Sequence, residues 1–357
     1  MTKPVLILDP DWRRMDELFS PATRAALYDM FEVIWGTEGP IPDDIYRAAL
    51  PQADVLIAAT PRVDADTLAQ APKLRVIIEV AGAFPDTIDY AACFAAGVEV
   101  LSCAPGFRQA VAEMGLAMAL SGARGLVQEH EAFRQGRENW LADNPQTDFT
   151  LYGGAVGFVG FGQIAQELTR LLVPFRPVIS VYDPWLPQEV ADEFGVTLAP
   201  LESVLRTSRC VFVAAIPTSE NRHLLNADNL PLLADNSLLV LLSRAHLVDF
   251  DALVAELQTG RIRACVDVFP SEPVGGDDAI RQIPAVILSP HRAAAVDKGR
   301  QLIGDLILSD LHNVRAGNQN RNLPVAKPQS IKLLSGIGDA SQVSNMARSL
   351  QADASDV

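Results

Sequence analysis

The stretch Ala155-Val156-Gly157-Phe158-Val159-Gly160-Phe161-Gly162-Gln163-Ile164-Ala165 constrains this chain more than any other. A short apolar run leads into glycines at 160 and 162 and an alanine at 165. Ile164, Leu168, Leu171 and Leu172 then fall on one helical face, so the segment reads as a buried strand, a tight turn and a helix. Each small residue has its own physical reason. Gly160 permits the turn, Gly162 lets the backbone come close to a pyrophosphate, and Ala165 lets the helix lie close on the strand. The amides of Gln163 and Ile164, which open the helix, then face the anion. Twenty-one residues after Gly162, the run Val178–Tyr182 ends at Asp183. A carboxylate there accepts hydrogen bonds from an adenosine ribose and repels a 2′-phosphate, so NAD is the expected cofactor rather than NADP. The plainer reading of Asp183-Pro184 is the opening of a turn.

The rest of the chain repeats this rhythm. Short β-branched runs at Val5–Asp9, Val55–Ala59 and Val76–Val80 alternate with helix-like stretches at Pro42–Leu50 and Asp64–Ala71. After a polar loop over Leu141–Thr150, further runs follow the first strand at Val178–Tyr182, Cys210–Ala215, Leu238–Leu242, Ala264–Val268 and Val286–Leu288. Strands alternating with helices predict an α/β protein with parallel sheets, and 357 residues suit two domains. The proline-free stretch Gln109–Gln135 reads as one long helix passing between two bodies, and a helical pattern resumes near Ala293 and ends near Gly317. The segment from Asn318 onward is rich in Ser, Ala, Asn, Gln and Asp, with Val343–Leu350 able to form one or two amphipathic turns.

Composition narrows the partners. With 29 Lys and Arg against 44 Asp and Glu, the formal net charge is −15, which repels nucleic-acid backbones and anionic lipid. No apolar run reaches the roughly 20 residues needed to cross a bilayer, and the start Met1-Thr2-Lys3-Pro4 lacks the apolar core of a secretory leader. The four cysteines have neither CxxC spacing nor paired histidines, so no metal site and no disulfide are expected, and a cytoplasmic protein is.

Chemistry-bearing residues gather after the later strands. Arg244 follows Leu238–Leu242 and Ser243, Glu272 lies beyond the Ala264–Val268 run, and His291 follows Val286–Leu288 and Ser289-Pro290. Open α/β sheets place ligands at such strand ends. A guanidinium, a carboxylate and an imidazole there suit an anionic substrate and a proton transfer, although each alone also reads as an ion pair, a solvated turn or a strand cap. His130, His223, His246 and His312 have no evident acid partner.

Taken in order, Ser243-Arg244-Ala245-His246-Leu247-Val248-Asp249, Asp267-Val268-Phe269-Pro270-Ser271-Glu272-Pro273 and Ser289-Pro290-His291 behind the glycine turn resemble the D-isomer-specific 2-hydroxyacid dehydrogenases. Ala81-Gly82 through Asp86-Thr87-Ile88-Asp89, Ala110-Val111-Ala112-Glu113 and Trp140 extend the likeness over roughly Val55 to Ala295. The resemblance implies a Rossmann-type NAD-binding domain, 119–296, inserted into a smaller flavodoxin-like substrate domain built from 1–118 and 297–325, with a tail over 326–357 and the active site in the cleft between the domains. It also implies a homodimer acting on a small 2-oxoacid or 2-hydroxyacid. His291 is implied as general acid and base with Glu272 behind it, and Arg244 as the residue that holds the substrate carboxylate. Gly160, Gly162, Gln163, Ile164, Asp183, Ile216, Pro217, Ser243 and Asp267 would meet the cofactor, Asp267 at the nicotinamide carboxamide. The amides of Ala81, Gly82 and Ala83 would meet the substrate carboxylate.

The pattern departs from the family in four places. Ala165 replaces the third glycine, Ala245 follows Arg244 where glycine is usual, Ala215 replaces a histidine of the cofactor loop, and Phe84-Pro85 replace a glycine-containing stretch of the substrate loop. A positive φ at Ala245 would be strained, and Phe84 with Pro85 should reshape the pocket. Two other readings stay open on the same scaffold: a non-catalytic NAD(H)-sensing regulator, and phosphite oxidation. Formate oxidation is disfavoured because enzymes of that branch generally pair the histidine with glutamine. Arg62 and the Arg13-Arg14 pair are expected on a solvated surface, with contact to a distal anion as the alternative.

Overall fold

The computed structural model describes residues 2–144 and 148–334. The chain divides into two units, Met1–Phe107 with Val296–Val357, and Arg108–Ala295.

In the first unit β1 (Val5–Asp9), β2 (Glu32–Trp35), β3 (Ala53–Ala58), β4 (Val76–Glu79) and β5 (Glu99–Ser102) form a parallel sheet in the order β2-β1-β3-β4-β5. That is the doubly wound order of flavodoxin-like domains. A parallel sheet is covered on both faces, and its strands are accordingly apolar on both. Leu6, Leu8, Val55, Ile57, Val76 and Ile78 lie in one core cluster, and Ile7, Leu56, Ile77 and Val100 in a second. The returning end of the chain completes the first cluster. Its helix Gln301–Arg315 contributes Ile303, Ile307, Leu311 and Val314 from a single face. Gly304 lets that helix come close, because a β-carbon there would lie 2.5 Å from the Leu18 carbonyl oxygen.

In the second unit β6 (Ala155–Val159), β7 (Val178–Tyr182), β8 (Thr197–Leu198), β9 (Cys210–Val213), β10 (Leu238–Leu241), β11 (Arg263–Val266) and β12 (Val286–Leu288) form a parallel sheet in the order β12-β11-β10-β9-β6-β7-β8. Strand order reverses between β6 and β9, as in a Rossmann domain, and ligands of such sheets bind outside the C-terminal strand ends at that reversal.

Several expectations are corrected. The stretch 109–135 is two helices, Arg108–Ala123 and Leu126–Arg134, broken where Gly125 takes a φ of +58°. The first boundary falls at Phe107/Arg108 rather than 118/119, because the first of these helices packs on the second unit along its length. Gly115 lies against Leu242 and Leu168, Gly122 lies against Leu238 and Cys265, and Arg263 Nη1 donates to the Gly122 carbonyl at 2.6 Å. The closing boundary is Ala295/Val296, and the next helix starts at Gln301 rather than near Ala293. The start of the expected tail is part of the first unit: Ala326 is buried, its N–H donates to the Val100 carbonyl at 2.8 Å, and Pro328–Leu334 is helical. The turns expected at Val343–Leu350 lie outside the described residues. All four cysteines are buried free thiols.

Candidate active site

The glycine turn follows β6 directly. Gly160 takes a φ of +87° and its N–H donates to the Tyr182 carbonyl at 2.8 Å. It lies hard against the next loop, since a β-carbon there would come within 2.3 Å of Ala215 Cα. Gly162 is the opposite case. It precedes the helix Gln163–Leu172 with no side chain to cap it, and a β-carbon there would meet nothing within 4 Å. Gln163 and Ile164 form the first turn of that helix, while fully buried Ala165 allows the close packing expected of it.

Asp183 directly follows β7 beside this turn. Its Oδ2 accepts the Phe161 N–H at 2.8 Å and its Oδ1 accepts the Trp185 N–H at 3.0 Å. The carboxylate thus shapes its own turn and is tied to the glycine loop at the same time. After β9, Ile216 is exposed and Pro217 half-buried. Their loop is built around Asn221, a residue that the sequence reading passed over. Its Nδ2 donates to the Ile216 carbonyl at 2.8 Å and its Oδ1 accepts the Thr218 N–H at 2.7 Å. His246 Nε2 lies 2.9 Å from the Thr218 carbonyl, which gives that histidine a structural place.

Two hydroxyls near these strand ends are buried without a hydrogen-bond partner, Ser243 Oγ after β10 and Thr218 Oγ1 after β9. Buried polar atoms are ordinarily satisfied, so such orphans mark the place of a missing partner. Open space at Gly162, a helix start with uncapped amides and these two hydroxyls all fit a bound dinucleotide.

The three chemistry-bearing residues fall within this same unit. Glu272 Oε2 lies 2.6 Å from His291 Nδ1, and Glu272 Oε1 accepts the Phe269 N–H at 2.9 Å. Burial pushes the Glu272 carboxyl up, but the His291 hydrogen bond and charge, the Phe269 N–H and the Arg244 charge together hold it below its ordinary value. With Nδ1 engaged, Nε2 is the ring nitrogen left for a substrate. His291 has a φ of +50°, unusual for a residue with a side chain. Its N–H donates to the carbonyls of Asp267 at 2.8 Å and Ser289 at 3.0 Å. Arg244 is extended (φ −150°, ψ 143°), and its Nη1 donates to the Ser243 carbonyl at 2.8 Å. Ala245 begins a 3₁₀ turn without a positive φ, so the alanine in place of glycine carries no backbone strain.

Asp267 is tied to the segment that follows β12. It is fully buried, and its Oδ1 accepts from Ser289 Oγ and, at 2.9 Å, from the Arg292 N–H, while Oδ2 accepts the Ala293 N–H at 3.1 Å. Through these bonds it holds the segment that carries His291.

The substrate loop lies in the first unit and is also organised from within. Fully buried Glu79, at the end of β4, accepts the N–H groups of Ala81 and Gly82 at 2.8 Å each through Oε2. Its Oε1 accepts from Ser102 Oγ and, at 3.1 Å, from the Cys103 N–H. Burial pushes the carboxyl up, against these donors and the Ala83 amide. Two of the three amides expected for a substrate carboxylate are therefore engaged by a side chain of the same unit. Gly82 (φ +99°) lies against the Phe107 ring, 2.6 Å from where its β-carbon would be.

Residues 116–293 match the family described as D-isomer specific 2-hydroxyacid dehydrogenase, NAD binding domain. The chain is similar to a glyoxylate reductase of Pyrococcus horikoshii, 30% identical over 298 residues that cover 82% of this chain and 89% of the relative. It is also similar to a D-3-phosphoglycerate dehydrogenase of Mycobacterium tuberculosis, 30% identical over 319 residues that cover 89% of this chain and 58% of that relative. Among solved structures, a phosphoglycerate oxidoreductase from Rhizobium etli superposes with a TM-score of 0.79 at 35% identity, covering 91% of this chain and 99% of that one.

Proposed function

Because the chain belongs to the D-isomer specific 2-hydroxyacid dehydrogenase family, whose NAD binding domain it contains, we propose that it transfers a hydride between NAD(H) and C2 of a small D-2-hydroxyacid or 2-oxoacid. The observation that carries this reading is the 2.6 Å contact between His291 Nδ1 and Glu272 Oε2, in the unit that also holds Arg244 and the glycine turn.

NADH, when bound, supplies the hydride. The helix start at Gln163 and Ile164 receives the pyrophosphate, Asp183 receives the adenosine ribose, and the loop over Ile216 and Pro217 lies against the cofactor. As the substrate carbonyl is reduced, negative charge builds on its C2 oxygen, and His291 gives that oxygen a proton from Nε2. Glu272 fixes the orientation of the imidazole through Nδ1. Arg244 grips the substrate carboxylate, bidentate where geometry allows, and polarises the adjacent carbonyl. In the oxidative direction His291 takes the proton back.

A spectrophotometric panel of glyoxylate, hydroxypyruvate, pyruvate and branched 2-oxoacids with NADH tests the reading. Turnover of at least one member, lost by about 10²–10⁴ in His291→Ala, is the expected result. NADH binding without turnover of any member overturns it in favour of a sensor. NADH formation from NAD and phosphite, with no 2-oxoacid reduced, overturns it in favour of phosphite oxidation.

A further inference from the structure

Arg13 does not lie on the solvated surface expected of it; Arg14 and Arg62 do. Only 6% of Arg13 is exposed. Its guanidinium carbon stands 4.2 Å from the centroid of the Trp12 ring and 5.3 Å from that of Phe107. The two aromatic rings withhold water without offering an acceptor in the guanidinium plane. The hydrogen bonds formed are long: Nη1 to Glu17 Oε1 and Nη2 to the Ala81 carbonyl, both 3.5 Å, while Nε is buried without a partner. A guanidinium has five N–H donors, so this one is poorly satisfied.

A second arginine adds to the imbalance. Arg300 Nη1 lies 2.7 Å from Glu17 Oε2, and its Nε is likewise buried without a partner. Two guanidiniums thus share the single carboxylate of Glu17. Arg13 is pushed down to about 10 by burial first and by the Arg300 charge second, against the pull of Glu17 and Glu79. The Glu79 carboxylate is no direct partner of either, being filled by its own donors. Phe107, which stacks on Arg13, is also the ring that Gly82 lies against. Arg13 therefore adjoins the loop Ala81–Ala83, and Arg300 joins it through their shared Glu17.

We propose that Arg13 and Arg300 form a receptor for a second anionic group on the substrate, so that the preferred 2-oxoacid carries a carboxylate or phosphate beyond its keto-acid end. This deepens the function proposed above and rests on Ala81–Ala83 being the substrate loop. An oxyanion takes up the open donors of a desolvated arginine bidentately, which a neutral tail cannot do.

The test compares kcat/KM with NADH for oxaloacetate, 2-oxoglutarate and 3-phosphohydroxypyruvate against glyoxylate, pyruvate and 2-oxobutyrate. The wild type is expected to favour at least one doubly anionic substrate. Arg13→Met is expected to lower the ratio of that kcat/KM to the best singly anionic one by about 10- to 100-fold, mainly through KM, and Arg300→Met in the same direction. The idea is overturned if the wild type favours no doubly anionic substrate, or if both variants leave the ratio unchanged; turnover of glyoxylate would then still support the general function. If no 2-oxoacid is reduced, the general function fails, and calorimetric titration with malonate and acetate decides this point alone. Saturable malonate binding that Arg13→Met abolishes supports the receptor, and no preference for malonate over acetate overturns it.

Discussion

The backbone N–H of His291 donates to the carbonyl of Asp267 at 2.8 Å, while the carboxylate of the same aspartate holds Ser289, Arg292 and Ala293. Asp267 thereby fixes a turn in which a histidine adopts a φ of +50°, a conformation that costs about 1–3 kcal/mol and persists only when its surroundings enforce it. In Asp267→Asn one acceptor oxygen becomes a donor facing backbone N–H groups. The expected outcome is a kcat lower by about 10- to 100-fold with the fluorescence-titrated Kd for NADH little changed. An equal loss in NADH affinity would assign Asp267 to the cofactor instead.

The Glu272–His291 pair sets a pH dependence whose sign follows from the depressed Glu272 carboxyl. A carboxylate that remains charged to low pH keeps its bond to Nδ1 and so keeps the ring oriented for proton delivery from Nε2. In Glu272→Gln the reductive kcat/KM should fall by about 10- to 100-fold, as steady-state assays would report, because Nδ1 loses the charged acceptor that orients the ring. Stability gives a second readout. A depressed carboxyl stabilises the fold above its ordinary value of 4.5, and that contribution disappears as pH falls through the lowered value. Urea denaturation at a series of acidic pH values should therefore show the wild type losing its advantage over Glu272→Gln on acidification.

Gly160 and Gly162 should respond in opposite ways to alanine. At 160 the new β-carbon meets the Ala215 backbone and a positive φ, so Gly160→Ala should lower the thermal midpoint or abolish folding, a cost of about 2 kcal/mol or more. At 162 there is space, so Gly162→Ala should keep the wild-type midpoint while weakening NADH in a titration, because the methyl group fills the approach to the helix start.

Asp183→Arg exchanges a ribose acceptor for a phosphate donor. The KM for NADH should rise about tenfold or more and NADPH should become a usable reductant, as parallel assays would show. Since Asp183 also accepts the Phe161 N–H, circular dichroism is needed to establish that the glycine turn has survived. A folded variant with unchanged preference would remove Asp183 from cofactor discrimination.

Legibility in the sequence followed the range of the forces involved. The strand, turn and helix from Ala155 to Leu172 were readable because each small residue answers to a local steric demand. The pairing of Glu272 with His291 was readable through the family resemblance. The strands β2 and β5 passed unnoticed, because Glu32 and Glu99 interrupt their apolar runs. The bonds by which Asp267 holds Ser289, Arg292 and Ala293 were not legible, because an acid that caps a segment and one that meets a cofactor look alike at a strand end. Arg13 looked like surface because Trp12 and Phe107, which enclose it, are brought together only by folding. Glu79 gave no sequence signal, since its partners are backbone amides.

The second unit is one uninterrupted segment from Arg108 to Ala295, whereas the first is assembled from two separated pieces of chain. In genetic terms the nucleotide-handling half is a cassette bounded by two junctions. The histidine, the glutamate and the glycine turn therefore share one contiguous stretch of gene, while Arg13, Arg300 and the loop after β4 are encoded outside it.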